Sequence, residues 1–290
     1  MDPNTRIKSA LHNFMHFASG PACPPKLTEA MTYAVFPGGH RIRPRLCLAV
    51  AMAHGDDQPE IVDAALSSIE FLHCASLVHD DMPCFDDAAT RRGKPSVHAA
   101  FGAPLALLCG DALIILAYQT LSQVAHLRPE RTGRLLEVVS NGVGAPGGIV
   151  AGQAWECEDE IPTRQYHRSK TGVLFAAATM AGAAAVGAEH EPWGVLGDCI
   201  GEAYQIADDL LDKFGDPDVV GKPIGQDDCH DRPNAVAEMG VQGASDYLRR
   251  RIDEAVDSVP TCPGEAGLRK LIHQEASRFM ELALKSRAAA

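Results

Sequence analysis

Apolar side chains along most of this chain recur at intervals of three and four residues, the period of a helix face rather than of a strand. From Ile61 to His79 that spacing runs with few breakers and predicts one long helix. Thr163–Gly187 and Leu196–Phe214 read as helices with small or apolar residues on several sides, the pattern of helices buried inside a large bundle. Ser140–Gly152 is a Gly-rich interruption, and the tail from Ala244 to Arg287 mixes charge with amphipathic spacing. The expected breaks are Pro21–Pro25, Gly38–Pro44, Pro83–Gly93, Asn141–Gly148 and Gly215–Pro233. Strand alternation is scarce, and no repeat of fixed period or linker stands out. The pattern predicts an all-α protein whose residues 1–290 form one domain.

Gly142-Val-Gly144-Ala-Pro-Gly147 matches the dinucleotide fingerprint, with Leu135–Val139 as a candidate strand and Glu156–Glu160 as a candidate ribose partner. That motif needs a strand, a tight turn and a helix within a βαβ unit. The flanks here are helical in pattern, so a nucleotide site is not expected.

Composition narrows the class. Of 290 residues, 46% are apolar and 6% aromatic, which suits a globular, helix-rich protein. The net charge of −12 argues against a nucleic-acid partner. It leaves room for anionic small substrates if divalent cations lie between the two sets of charges. The nine cysteines contain no Cys-x-x-Cys pair, which favours a reducing, cytoplasmic setting over a disulfide framework or zinc site. Met1–Gly20 lacks the apolar run of a signal peptide. No membrane span is expected; Phe101–Leu121 comes closest, and Asp111 interrupts it.

Two aspartate clusters carry the candidate chemistry: Asp80-Asp81-Met-Pro-Cys-Phe-Asp86-Asp87 and Asp208-Asp209-Leu-Leu-Asp212. On a helix, Asp208 and Asp212 lie about 40° apart and share a face. Asp80 and Asp86 would lie about 120° apart on a continuous helix. Pro83 ends or kinks that helix, and the break is expected to swing Asp86 back beside Asp80. Either cluster alone could be a solvated face or a cap. The apolar runs around both call for a partner, and a hard cation such as Mg2+ suits carboxylates so placed. Candidate phosphate-binding groups surround them: Arg41 and Arg43 after Gly38-Gly39, Arg91-Arg92, Lys170-Thr171-Gly172, Lys222 and Arg232.

In order, these segments are Gly-Gly-His40-Arg-Ile-Arg43-Pro, His73 through Asp87 with Arg91-Arg92-Gly, Gly110-Asp-Ala-Leu113, Gly152-Gln153, Lys170-Thr-Gly-Val-Leu-Phe175, Tyr204-Gln205 through Asp212, and Gly221-Lys-Pro-Ile-Gly225. The set resembles the trans-isoprenyl diphosphate synthase (polyprenyl synthetase) family, most closely in look the bacterial geranylgeranyl diphosphate synthases. The resemblance implies an isoprenoid-synthase helical bundle around a deep central cavity, usually a homodimer. It implies Mg2+, three ions with substrate bound, held by Asp80, Asp86 and Asp208 with Asp81 and Asp212 in support. Arg91, Lys170, Thr171, Gln205 and Lys222 would then hold an allylic diphosphate (dimethylallyl, geranyl or farnesyl). Arg43, His73 and Arg92 would hold isopentenyl diphosphate, and Arg232 stands where the family usually has lysine. His40 departs from the family's lysine and, if neutral, gives up a charge at that site.

The implied reaction ionises the allylic C–O bond, lets the isopentenyl double bond attack, and releases a proton, with the freed diphosphate as base. Competing readings are a farnesyl diphosphate synthase, a non-catalytic subunit of a heteromeric synthase, and a terpene cyclase. Product length is expected to depend on Ala75 and Ser76, just before Asp80. By resemblance, a small residue at Ala75 points to geranylgeranyl diphosphate, where an aromatic one would stop the tail at farnesyl.

Overall fold

The computed structural model describes residues 2–20, 22–36, 39–160, 165–166, 168–214 and 235–275; the side chains of residues 212–214, 235 and 238 are outside the description. The elements are α1 (Pro3–Ala18), α2 (Pro25–Val35), α3 (Ile42–His54), α4 (Pro59–Asp80), a hairpin of β1 (Thr90–Arg91) and β2 (Lys94–Pro95), α5 (Val97–Phe101), α6 (Ala103–Val124), α7 (Pro129–Val143) and α8 (Ile149–Ala154). A 3-10 turn (Trp155–Cys157), a π-turn (Arg168–Gly172), α9 (Val173–Ala185), α10 (Trp193–Phe214) and α11 (Ala235–Asp257) follow, and residues 265–275 form α12.

Chemistry at the ends explains several boundaries. Asp2 caps α1 by accepting from the Thr5 amide at 2.9 Å, with Pro3 in the first turn, where no intrahelical donor is needed. α4 also has a proline, Pro59, in its first turn, but its N-cap residue Gln58 makes no side-chain capping bond. The expected break at Gly38–Pro44 ends earlier than the pattern suggested. α3 starts at Ile42 and includes Pro44 in its first turn, a position that tolerates proline. The Gly-rich interruption also contracts, since α7 runs to Val143 and α8 resumes at Ile149. Leu135–Val139 lies inside α7, so the fingerprint-like glycines follow a helix rather than a strand.

Ala-rich α9 is buried over nearly its whole length and packs against α3, α4, α7 and α10. α4 packs against α3 and α6, and α10 against α11. These contacts bury Phe71, Leu72, Leu113, Leu116 and Phe175. α4 and α6 are each long and apolar enough to cross a bilayer, but 78% of the α4 window is buried inside the protein, as in a core helix. α6 is covered less and leaves Leu107, Leu108 and Ile115 exposed.

Candidate active site

The buried run of α4 delivers Asp80 at its last turn, and the chain then leaves the helix, as Pro83 requires. The Asp86 amide donates to the Asp80 carbonyl at 3.0 Å, and the Ala88 amide to the Asp81 carbonyl at 3.1 Å. This curl returns Asp86 to Asp80. The 3-10 turn after α8 adds Glu156, and ligand oxygens of Asp80, Asp86 and Glu156 lie within 4.8 Å of one another. Gly152 lets α8 approach this closely, since a Cβ there would lie 2.5 Å from the Lys170 amide nitrogen. Asp80 Oδ1 is buried and accepts no hydrogen bond among the described residues. A half-buried carboxylate trio, one of whose buried oxygens accepts no hydrogen bond, fits a hard divalent cation.

Cationic side chains border the trio. Lys170, in the π-turn, holds its ammonium 3.3 Å from Asp80 Oδ1 and pairs with Glu156. Such turns occur often at functional sites. Burial works to lower the Lys170 pKa, but Asp80, Tyr166 and Glu156 keep it above the ordinary lysine value. Tyr166 Oη donates to Glu156 Oε1 at 2.5 Å, and Gln153 Nε2 to Oε2 at 2.9 Å. Arg91 takes the other aspartate of the first pair. Its Nε donates to Asp81 Oδ1 at 2.9 Å and Oδ2 at 3.2 Å, and its Nη2 lies 3.7 Å from Asp80 Oδ2. Asp81 is 2% exposed and turned to Arg91. Burial pushes its pKa up while Arg91 pulls it down.

The second cluster lies on α10. Asp208 is half-buried and Asp209 is buried. Asp208 is not a member of the Asp80–Asp86–Glu156 group. Thr171 Oγ1 donates to Gln205 Oε1 at 3.0 Å, and Gln205 Nε2 to Asp209 Oδ1 at 2.9 Å, which ties α10 to the Lys170 turn. The Asp212 side chain, Lys222 and Arg232 lie outside the described residues.

A basic wall forms between α3, α4 and the hairpin. Nη1 of Arg43 and Nη2 of Arg92 lie 3.4 and 3.5 Å from His73 Nε2, which is the acceptor because a guanidinium only donates. Arg43 also lies over the Phe175 ring, 4.2 Å from its centroid. Burial, and then the flanking arginines, hold the His73 pKa well below 6.5, so the ring is neutral at pH 7. His40 is exposed.

Arg41, two residues from Arg43, has a different task. Its backbone is left-handed (φ 52°), and its guanidinium pairs with buried Glu70 and donates to the Val35 carbonyl. Ala75 is 1% exposed within the core, and Ser76 Oγ donates to the His73 carbonyl at 2.9 Å.

Glu156, the third carboxylate, was not among the expected site residues; the pattern offered it only as part of a false ribose partner. Its signal is an acid three residues after Gln153, at the end of a short Gly- and Ala-containing run beside the Lys170 turn.

The comparisons agree with the geometry. The polyprenyl synthetase family pattern matches residues 24–271. A protein of Cereibacter sphaeroides named geranylgeranyl diphosphate synthase is 49% identical over 97% of this chain and 98% of its own. The farnesyl diphosphate synthase of Geobacillus stearothermophilus is 36% identical over 86% of each chain. A Helicobacter pylori geranyltransferase, solved with magnesium and isoprenyl diphosphate, superposes with a TM-score of 0.79 at 27% identity, covering 96% of this chain and 98% of that one. With the isoprenoid-synthase bundle, the carboxylate trio and these relatives in agreement, the chain belongs to the polyprenyl synthetase family of trans-prenyltransferases.

Proposed function

We propose that this protein is a magnesium-dependent geranylgeranyl diphosphate synthase that condenses isopentenyl diphosphate with dimethylallyl, geranyl or farnesyl diphosphate. The observation that carries the reading is the trio of Asp80, Asp86 and Glu156, whose carboxylates face the Lys170 ammonium. Asp80, Asp86 and Asp208 are the proposed Mg2+ ligands, with Asp212 and Glu156 in support and three ions bound alongside substrate. Asp81, expected as a supporting ligand, acts instead through Arg91. Bound Mg2+ supplies charge stabilisation for the departing diphosphate.

The protein groups divide the remaining work. Arg91, Lys170, Thr171, Gln205 and Lys222 orient the allylic diphosphate and take up negative charge as the C–O bond ionises. Arg43, His73 and Arg92, with His40 in support, hold isopentenyl diphosphate, and Arg232 is assigned to substrate binding as well. Its double bond attacks the allylic cation, forming the new C–C bond, and a proton leaves the isopentenyl unit to the freed diphosphate. The apolar bundle keeps water from the cation. The product reading follows the 49% identity to a geranylgeranyl synthase over nearly the whole chain, against 36% to a farnesyl synthase. We also assign the chain to a single catalytic domain, to the cytoplasm and to a homodimer. The exposed Leu107, Leu108 and Ile115 on α6 support a subunit interface.

The deciding experiment supplies the purified protein with Mg2+, isopentenyl diphosphate and each allylic primer, followed by chromatography of the products. Elongation to C20 is expected. Binding without turnover would indicate a non-catalytic subunit, and hydrocarbon release a cyclase. Ala75→Phe should shift the main product toward farnesyl diphosphate. A wild type that already stops at C15, or an unchanged length in Ala75→Phe, removes the length assignment and leaves the prenyltransferase one.

A further inference from the structure

The hairpin that carries Arg91 and Arg92 has two residues in each strand, too few to hold itself in water. Its turn residues Arg92 and Gly93 both have positive φ, 54° and 74°, as a two-residue type I′ turn requires. Glycine adopts that backbone freely and arginine does not, so contacts beyond the hairpin must stabilise it. Asp81 clamps Arg91 directly. Arg92 reaches His73 at 3.5 Å and lies against Gly39, where a Cβ would come within 2.9 Å of its Nε.

Lys94 stands opposite Arg91 in the hairpin register. Its ammonium reaches back to α2, donating to the carbonyls of Tyr33 at 2.7 Å and Phe36 at 3.4 Å, and lies 3.7 Å from the Tyr33 ring centroid. Helix C-termini leave carbonyls without intrahelical donors and favour a cation. Here the residue four beyond Tyr33 is Pro37, which has no amide proton to offer. Tyr33 completes the lock, because its hydroxyl donates to the Pro95 carbonyl at 2.7 Å. The hairpin is thus pinned at two points to the end of α2.

We propose that Lys94, with Tyr33 as counterpart, is a positioning residue for the isopentenyl diphosphate site, holding Arg92 beside His73 and Arg43. This rests on the assignment of those three residues to that substrate.

Lys94→Met preserves length and apolar stem and removes the cation. The expected result is an isopentenyl diphosphate KM raised about tenfold, as for loss of uniform binding, with kcat and the allylic KM within about twofold of wild type because Asp81 still holds Arg91. Lys94→Arg should recover most of the affinity. An unchanged isopentenyl KM in Lys94→Met, or an equal rise in both KM values, overturns the proposal. Arg92→Ala, measured in parallel, tests the underlying assignment. If it raises the isopentenyl KM while Lys94→Met does not, only the positioning role fails. If neither variant moves it, the assignment of Arg92 fails too. If Lys94→Met alone raises it, the route through Arg92 is wrong. Should Lys94→Met not fold, Tyr33→Phe removes a single hydroxyl and must give the same split with a smaller rise; an unchanged KM there also overturns the proposal.

Discussion

In the first aspartate segment the chain leaves its helix at Asp80 and curls until Asp86 returns to it. In the second, Asp208 and Asp209 sit on the uninterrupted turns of α10. The two routes differ, yet each Asp-Asp pair divides in the same manner. Asp80 joins an acidic trio while Asp81 is buried against Arg91. Asp208 stays half-buried while Asp209 is buried and bonded to Gln205. Neighbours on a helix point about 100° apart, so the two carboxylates of a pair face different surroundings. The inward member needs its own partner, a guanidinium in one case and an amide in the other. Asp80-Asp81 and Asp208-Asp209 are therefore each one candidate ligand and one structural anchor.

The largest effect expected from this division is at Asp80. Asp80→Ala should lower kcat by about a thousandfold or more, on the order of 4 kcal/mol of barrier, with little change in melting temperature. Near wild-type turnover at saturating Mg2+ would break the ligand half of the comparison. Next comes Glu156→Gln, which keeps the shape but removes the charge facing Lys170. Turnover should fall by about 10- to 100-fold, and the Mg2+ concentration for half-maximal rate should rise; titration of rate against Mg2+ measures both. An unchanged Mg2+ requirement would reduce Glu156 to an anchor for Lys170.

Asp209→Ala addresses the other half. It strands the Gln205 amide and should cost about 1–3 kcal/mol of stability, seen as a lowered denaturation midpoint. The Mg2+ requirement should stay put, and a rise would make Asp209 a ligand after all.

The smallest effect is a pH dependence of the basic wall. Burial and then Arg43 and Arg92 hold the His73 pKa well below 6.5 in the folded state, so below pH 6.5 the unfolded chain binds a proton that the folded chain refuses. The stability contributed by neutral His73 should be complete above pH 6.5 and decline as pH falls. His73→Gln should flatten that part of the stability profile. An imidazole resonance titrating normally near 6.5 would remove this pH dependence.

Much of the architecture was legible in the pattern. The long α4 follows its apolar spacing, the all-helical reading holds, and Pro83 foretold the return of Asp86 because proline cannot continue a helix. Pro44 misled, because proline is harmless in a first turn. Arg41 and Arg43 looked alike in sequence and proved different, since the buried acid that claims Arg41 is Glu70, 29 residues away. Glu156 stayed hidden for the same reason: its partners Asp80 and Asp86 are some seventy residues earlier in the chain.

By itself the sequence determined helix period, helix ends and the local chemistry of each motif, because spacing, caps and prolines act within a few residues. The order of its motifs was enough to reveal the family. Only the tertiary structure decided which of two adjacent aspartates is buried against a partner, which arginine is consumed inside the protein, and which acid completes the trio. Those choices depend on the charge that each buried group meets across the bundle, and burial makes an unpaired charge too costly to leave unanswered.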